Sequence, residues 1–192
     1  MSAEAVPRLV PLIRGTAMLA NRAFLEREFG AQAFEQVLRG MPAEHYQSLQ
    51  GIPIAHEWYS LRAMMAFIDE AARVFSCRDY HERIGRFQAE YDLTFVHRFL
   101  IRFTSPLWVI DRGARVWRDY HSSGRWEIVK GEKPRTLTGT LHDFALVDGN
   151  HCRIVNGFLE RIGQLTGASA TRVVHTRCRA AGMPACIFEG KW

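Results

Sequence analysis

The stretch Asn150–Trp192, NHCRIVNGFLERIGQLTGASATRVVHTRCRAAGMPACIFEGKW, decides how the chain is read. Ile154, Val155, Phe158, Leu159, Ile162 and Leu165 recur at helical spacing, and Gly167 is a natural stop for that helix. Ala170–Arg179 and Ala185–Glu189 then read as a final hairpin around Gly182-Met183-Pro184. Three of the four cysteines fall here: Cys152 on the helix, with Cys178 and Cys186 flanking the turn. His175 stands three residues before Cys178. Thiolate and imidazole are the donors that zinc prefers, and four of them in a tetrahedron make a closed structural site. A strict period-2 strand would put His175 and Cys178 on opposite faces, so the site requires a bulge or a strand end near Arg177. His151 and Glu189 are substitute ligands. Buried cysteines acting as small apolar residues would give the same pattern without a metal.

Upstream, the pattern is helical and then changes period. Thr16–Phe29 and Ala31–Leu38 read as helices, with Met41-Pro42 and Gly51-Ile52-Pro53 breaking the chain after them. His56–Phe75 is apolar over most of its surface and should be central to the core. A second long helix spans Tyr80–Phe103, with Tyr91, Phe95, Phe99 and Phe103 at four-residue steps. Leu107–Ile110, Arg115–His121, Arg125–Lys130 and Thr136–Leu141 are short, rich in Trp, Val, Ile and Thr, and separated by turn residues. They read as antiparallel strands in a meander. The fold class is therefore α+β: N-terminal helices, an antiparallel strand meander, a C-terminal helix and a β-hairpin. No linker or repeat divides residues 1–192, which read as one domain, with residues 1–15 as a flexible arm.

Composition narrows the function classes. The net charge is +5, from 25 Lys+Arg against 20 Asp+Glu, and the arginines are scattered. No basic stripe tracks a phosphate backbone, so nucleic acid is not an expected partner. No apolar run approaches ~18 residues, so no membrane span is expected. The N-terminus is a poor signal peptide and a cytoplasmic location follows, where cysteines are reduced, buried or metal-bound.

The C-terminal stretch also carries a resemblance. Gly157, Thr166-Gly167-Ala168, His175-x-x-Cys178 and Cys178-Arg-Ala-Ala-Gly-Met-Pro-Ala-Cys186-Ile-Phe188 resemble the C-terminal part of 4-vinyl reductase-type domains. That superfamily also includes haem–nitric-oxide-binding domains and subunits of a vesicle-tethering complex. Proteins of this type include sensory domains of phenol-responsive activators, in which three cysteines and one acidic residue hold zinc. The resemblance implies that Cys152, Cys178 and Cys186 are those cysteines and that His175 replaces the acidic ligand. It also implies a small apolar or aromatic molecule bound between helices and sheet, which makes the chain a ligand sensor working through a homodimer or a protein partner.

The residues for such a pocket are Tyr91, Phe95 and Phe99 of the long helix facing Trp108, Trp117 and Tyr120 of the meander, with His97 as a polar group. An aromatic core between helix and sheet is the plainer reading of the same residues. Haem is disfavoured. It would use His97 as axial ligand and Tyr120-x-Ser122-x-x-Arg125 toward its propionates, but that stretch is one residue longer than the haem pattern Tyr-x-Ser-x-Arg. No nucleophile elbow, phosphate loop or His-Glu-x-x-His motif is present, so no catalytic residue is assigned. The alternatives are an enzyme using His97, Tyr120 or His121 in the same pocket, and a structural adaptor that binds nothing small.

Overall fold

A computed structural model describes residues 10–49, 51, 53–91 and 115–192. The chain begins with β1 (Leu12–Arg14) and α1 (Gly15–Phe29), then α2 (Ala33–Gly40) and α3 (Ala43–Leu49). β2 (Trp58–Ser60), α4 (Leu61–Val74) and α5 (Tyr80–Tyr91) follow. Residues 115–120 are helical and lead into β3 (Arg125–Lys130) and β4 (Thr136–His142). α6 (Gly149–Leu165), β5 (Arg172–Arg177), a 3-10 turn at Arg179–Ala181 and β6 (Cys186–Lys191) complete it. The fold class read from the sequence holds: helices first, antiparallel sheet, then a helix and a hairpin.

β4 pairs with β6 as well as with β3, so meander and hairpin make one antiparallel sheet in the order β3-β4-β6-β5. α6 is the connection between the two halves of that sheet. Asp148 caps it, its carboxylate accepting from the N–H groups of Asn150 at 2.7 Å and His151 at 3.2 Å. Gly167 ends it at φ 88, a conformation that glycine adopts without a side-chain clash.

Four expectations change. Arg115–His121 is no strand: residues 115–120 are helical, and Trp117, Tyr120 and His121 are the less exposed positions at i, i+3 and i+4. The aromatic and β-branched content had suggested period 2, whereas the burial follows period 3.6. The helix expected from His56 starts at Leu61, because Trp58–Ser60 pairs with β1 and Ser60 caps α4 through Ala63 N–H at 3.3 Å. That pairing also makes Leu12–Arg14, inside the expected arm, a strand. The connector after Met41, expected to hold one helical turn, holds the longer helix Ala43–Leu49. Leu107–Ile110 and the last turns of the expected Tyr80–Phe103 helix lie outside the described residues.

Among the described helices, α5 and α6 meet backbone to backbone, and two glycines make it possible. A Cβ on Gly85 would strike the backbone carbonyl of Ile154, and one on Gly157 would strike that of Glu82. Charged pairs run along the seam: Arg153–Glu82 at 2.8 Å, Arg86–Glu160 at 3.1 Å and Arg161–Glu90 at 2.7 Å. Each is partly exposed and contributes about 0–1 kcal/mol, so the pairs fix alignment more than they add stability. Phe24, Leu25, Phe34, Phe67 and Ile68 fill the helical layer behind them, all almost wholly buried.

Gly85→Ala and Gly157→Ala are each expected to lower unfolding free energy by about 2 kcal/mol or more, since backbone must move to admit a methyl group. Gly182→Ala, at φ 84 with open space around it, is expected to cost only about 1 kcal/mol. Urea unfolding of the three variants measures the difference, and equal losses would remove the close-packing argument.

Candidate functional site

Cys152 sits in the first turn of α6 and is buried. Cys186 opens β6 and is also buried, while Cys178 follows β5 directly. The ladder between β5 and β6 shifts register between His175 and Arg177, the irregularity that the spacing required. It turns His175 toward the same side as Cys178. One donor atom from each of Cys152, His175, Cys178 and Cys186 lies within 4.8 Å of the others.

The Sγ atoms of Cys152 and Cys186 are 3.5 Å apart, and those of Cys178 and Cys152 4.0 Å. A tetrahedron with metal–sulfur bonds near 2.3 Å has edges of about 3.8 Å. His175 Nε2 is buried without a hydrogen-bond partner, although the ring is fixed by stacking on Phe188 at 4.5 Å. A buried, unpaired imidazole nitrogen beside three thiols is costly unless something accepts its lone pair. Of the Cys152–Cys186 pair, Cys186 ionises first. The Cys152 thiol hydrogen bond lowers it against the opposing effect of burial, and His175 and the Arg179 N–H add to the lowering. The same hydrogen bond, with burial added to it, pushes Cys152 up. The arrangement can hold one soft metal ion with three sulfur donors and one nitrogen donor.

Neither substitute ligand belongs to it. His151, next to Cys152, packs instead on Phe144 at 4.9 Å and His121 at 5.6 Å. Glu189 lies on the outer face of β6, where Thr176 donates to it at 3.3 Å.

Of the residues expected to line an aromatic pocket, only Tyr91, Trp117 and Tyr120 are among the described residues. Phe95, His97, Phe99 and Trp108 lie outside the described residues. Tyr91 is 42% exposed and packs on Phe87 at 5.7 Å, so it is not an interior wall, because α5 turns that position outward. Trp117 stacks on His121 at 3.8 Å, meets Phe144 and Trp126 edge-on, and donates to the Ser123 carbonyl at 2.8 Å. Tyr120 lies on the same helical segment, half-buried. Both ring nitrogens of His121 are buried with no hydrogen-bond partner. Burial holds His121 well below its usual pKa, His151 adds to the effect and the Trp117 carbonyl opposes it. Burial alone takes His151 down to about 4.

One polar junction was not visible in the sequence. Asp69 on α4 bonds the buried His81 at 2.8 Å and Asn150 at 2.9 Å, joining α4, α5 and α6. Its acidic neighbour Glu70 gave no signal that the two would differ.

No protein-family model matches this chain, and neither does any curated protein. Solved structures do. An H-NOX protein from S. oneidensis in the Fe(II)NO ligation state is 12% identical, with a TM-score of 0.70 over 93% of this chain and 98% of that one. The Fe(II) unliganded H-NOX protein from K. algicida is 9% identical, with a TM-score of 0.70 over 93% and 96%. A structure concerned with haem redox potential and protein-induced porphyrin distortion is 11% identical, with a TM-score of 0.65 over 94% and 100%. At these identities the likeness is one of fold. It corrects the cofactor expectation, which put zinc first and set haem aside: the neighbours named are an Fe(II)NO protein, an unliganded Fe(II) protein and a haem protein with a distorted porphyrin. No helix among the described residues is long and apolar enough to cross a membrane.

The histidine pair has a consequence for pH. Both imidazoles are neutral in the fold and titrate near 6.5 when unfolded. Their depressed folded values mean that stability is complete above about pH 6.5 and is lost as pH falls toward 4. His121→Phe keeps a ring on Trp117 and removes two unpaired nitrogens. It is expected to raise stability at pH 5 by about 1–2 kcal/mol and to flatten the acid limb of a melting-temperature profile. A profile unchanged from the parent would contradict the assignment.

Proposed function

We propose that this chain is a small-molecule sensor domain on the fold of the H-NOX proteins, with haem as its cofactor. The observation that supports the reading is the fold correspondence over 93% of this chain and 98% of the S. oneidensis protein, at a TM-score of 0.70. When bound, haem supplies an iron atom that takes up a ligand such as nitric oxide. The chain's part would be to present the imidazole of His97, which lies outside the described residues. Ser122 does not fit a propionate clamp: its hydroxyl accepts from Leu12 N–H at 2.9 Å and donates to the Val10 carbonyl at 3.2 Å. That leaves Arg125, exposed at the start of β3, as the cation of the triplet. Ligand binding changes the output only as far as the two states of the domain differ in affinity, so the signal passes through a shift between conformations.

Titrating the purified chain with haem tests this directly. A saturable Soret band at one equivalent, lost or shifted in His97→Gly, is expected. A folded protein that develops no Soret band would overturn haem as the cofactor.

We also propose that Cys152, His175, Cys178 and Cys186 hold a separate metal ion, which fastens the hairpin to α6. The unpaired, buried Nε2 of His175 beside three thiols supports it. Since such an ion binds only the folded chain, Cys178→Ser should abolish bound metal in elemental analysis and lower the melting temperature by ~10 °C or more. A metal-free parent, or unchanged melting in the variant, would contradict it.

A second reading keeps the sensor and changes its ligand. The order Cys152, Cys178, Cys186 resembles 4-vinyl reductase-type domains and favours a small aromatic compound over a haem-bound gas. Native mass spectrometry separates the two by the mass that co-purifies.

A further inference from the structure

On the helices, arginines are matched: Arg22, Arg73, Arg86, Arg153 and Arg161 each meet a carboxylate within 3.1 Å. The turn between β3 and β4 is different. Lys130, Lys133 and Arg135 gather there around a single acid, Glu132, and among the described residues none of the four makes an ion pair. The ladder brings two more cations to the same end of the sheet. Lys191 of β6 pairs with Thr136 of β4 on one side and Arg172 of β5 on the other. Like charges placed directly opposite repel, and an anion near them relieves the repulsion. Arg172 reaches a backbone carbonyl, that of Thr171, at 2.8 Å. Glu189, two positions back from Lys191, takes a bond from Thr176 at 3.3 Å and pairs with neither cation.

The turn borders a cleft of about 260 Å³, lined by its three cations, Glu132, Thr136 and Trp192. Three bonds hold its shape. Gly131 N–H donates to the Thr136 carbonyl at 2.9 Å, and Trp192 N–H to the Arg135 carbonyl at 3.1 Å. The Thr136 hydroxyl donates to the Lys133 carbonyl at 2.6 Å. Arg135 is held at φ 58, in the left-handed region that glycine takes more readily. Such local strain clusters where a side chain has a use.

We propose that this cleft binds a small organic phosphate bearing a flat ring, a ligand with the chemistry of a nucleotide. Arg135 and Lys133 take the phosphate oxygens, the guanidinium as a fork and the ammonium as a point charge. Trp192 stacks the ring, which a tryptophan face does for any base. Lys130, Lys191 and Arg172 add a positive field around the cleft. A cleft of this size takes one small ligand and not a polymer. β6 runs from Cys186 at one end to Lys191 at the other, so the cleft and the sulfur cluster lie at opposite ends of one strand. Binding here requires neither haem nor a metal ion, and it stands apart from the sensor reading.

Isothermal titration calorimetry on the full chain in phosphate-free buffer tests the site with ADP, adenosine and inorganic phosphate as probes. ADP is expected to bind at one equivalent with a Kd below about 1 mM. Adenosine and inorganic phosphate each lack half of the recognised chemistry and should bind at least about tenfold more weakly. Trp192→Phe keeps a ring and should hold ADP within about threefold of the parent, whereas Trp192→Ala should lose about tenfold. Arg135→Gly separates use from structure. The glycine relieves the strain at φ 58, so its melting temperature should equal or exceed the parent's while ADP binding falls about tenfold or more. A chain that binds no ADP in that range, ADP no tighter than either of its halves, or an Arg135→Gly variant that binds like the parent would each overturn the proposal.

Discussion

The contact between α5 and α6 at Gly85 and Gly157 sets the position of nearly everything chemical in the molecule. Backbone meets backbone there, so the separation of the two helices is fixed by atoms that no rotamer can move. α6 carries Cys152 and His151 in its first turn and Glu160 near its last. Glu160 in turn bonds Arg86 of α5 at 3.1 Å and accepts the Val173 N–H at 3.2 Å, which aligns the start of β5 with the helix pair. A wider helix pair would displace Cys152 from the hairpin sulfurs and Glu160 from β5 in one movement.

The hairpin answers that constraint from the other side. Its two strands place Cys178 and Cys186 at the end that faces α6, and the irregularity between His175 and Arg177 swings the imidazole onto the same face. A regular ladder would leave His175 opposed to Cys178 across the strand. Departing from ideal pairing costs a ladder bond, and the four-donor cluster is where that cost has a use. Burying three sulfurs and an unpaired imidazole nitrogen together is otherwise unfavourable.

Much of this could be read from residue order, and the failures have physical causes. Helix α6, its Gly167 stop, the hairpin and the need for a bulge near Arg177 all follow from spacing within Asn150–Trp192, where local rules dominate. Residues 115–120 misled because Val116, Trp117 and Tyr120 favour strands by type, while tertiary contact of Trp117 and His121 with Phe144 and His151 selects a helix. Gly85 looked like any helical glycine, since nothing local says that Ile154 will lie against it. Asp69 and Glu70 were alike in sequence until α5 and α6 arrived beside only one of them. The likeness to the H-NOX fold was the least legible feature. Counting residues in Tyr120-x-Ser122-x-x-Arg125 compares one motif, whereas a shared fold at 12% identity leaves almost no motif to count.

The first turn of α6 also joins two environments that the sequence presents as neighbours by accident. His151 and Cys152 are consecutive, and successive helical side chains diverge by about 100°. One therefore enters the aromatic group of Trp117, His121 and Phe144, and the other enters the sulfur cluster. The aromatic group is tied to β1, since Ile13 bridges to His121 and Ser122 holds Leu12. A displacement of the 115–120 segment is thus resisted at His151 by a helix whose adjacent residue is anchored in the hairpin. A ligand bound on the helical side can reach the sheet by this route only if it favours a different placement of that segment, because packed rings transmit discrete rearrangements and not gradual ones. The sulfur cluster fixes the reference against which such a rearrangement is felt.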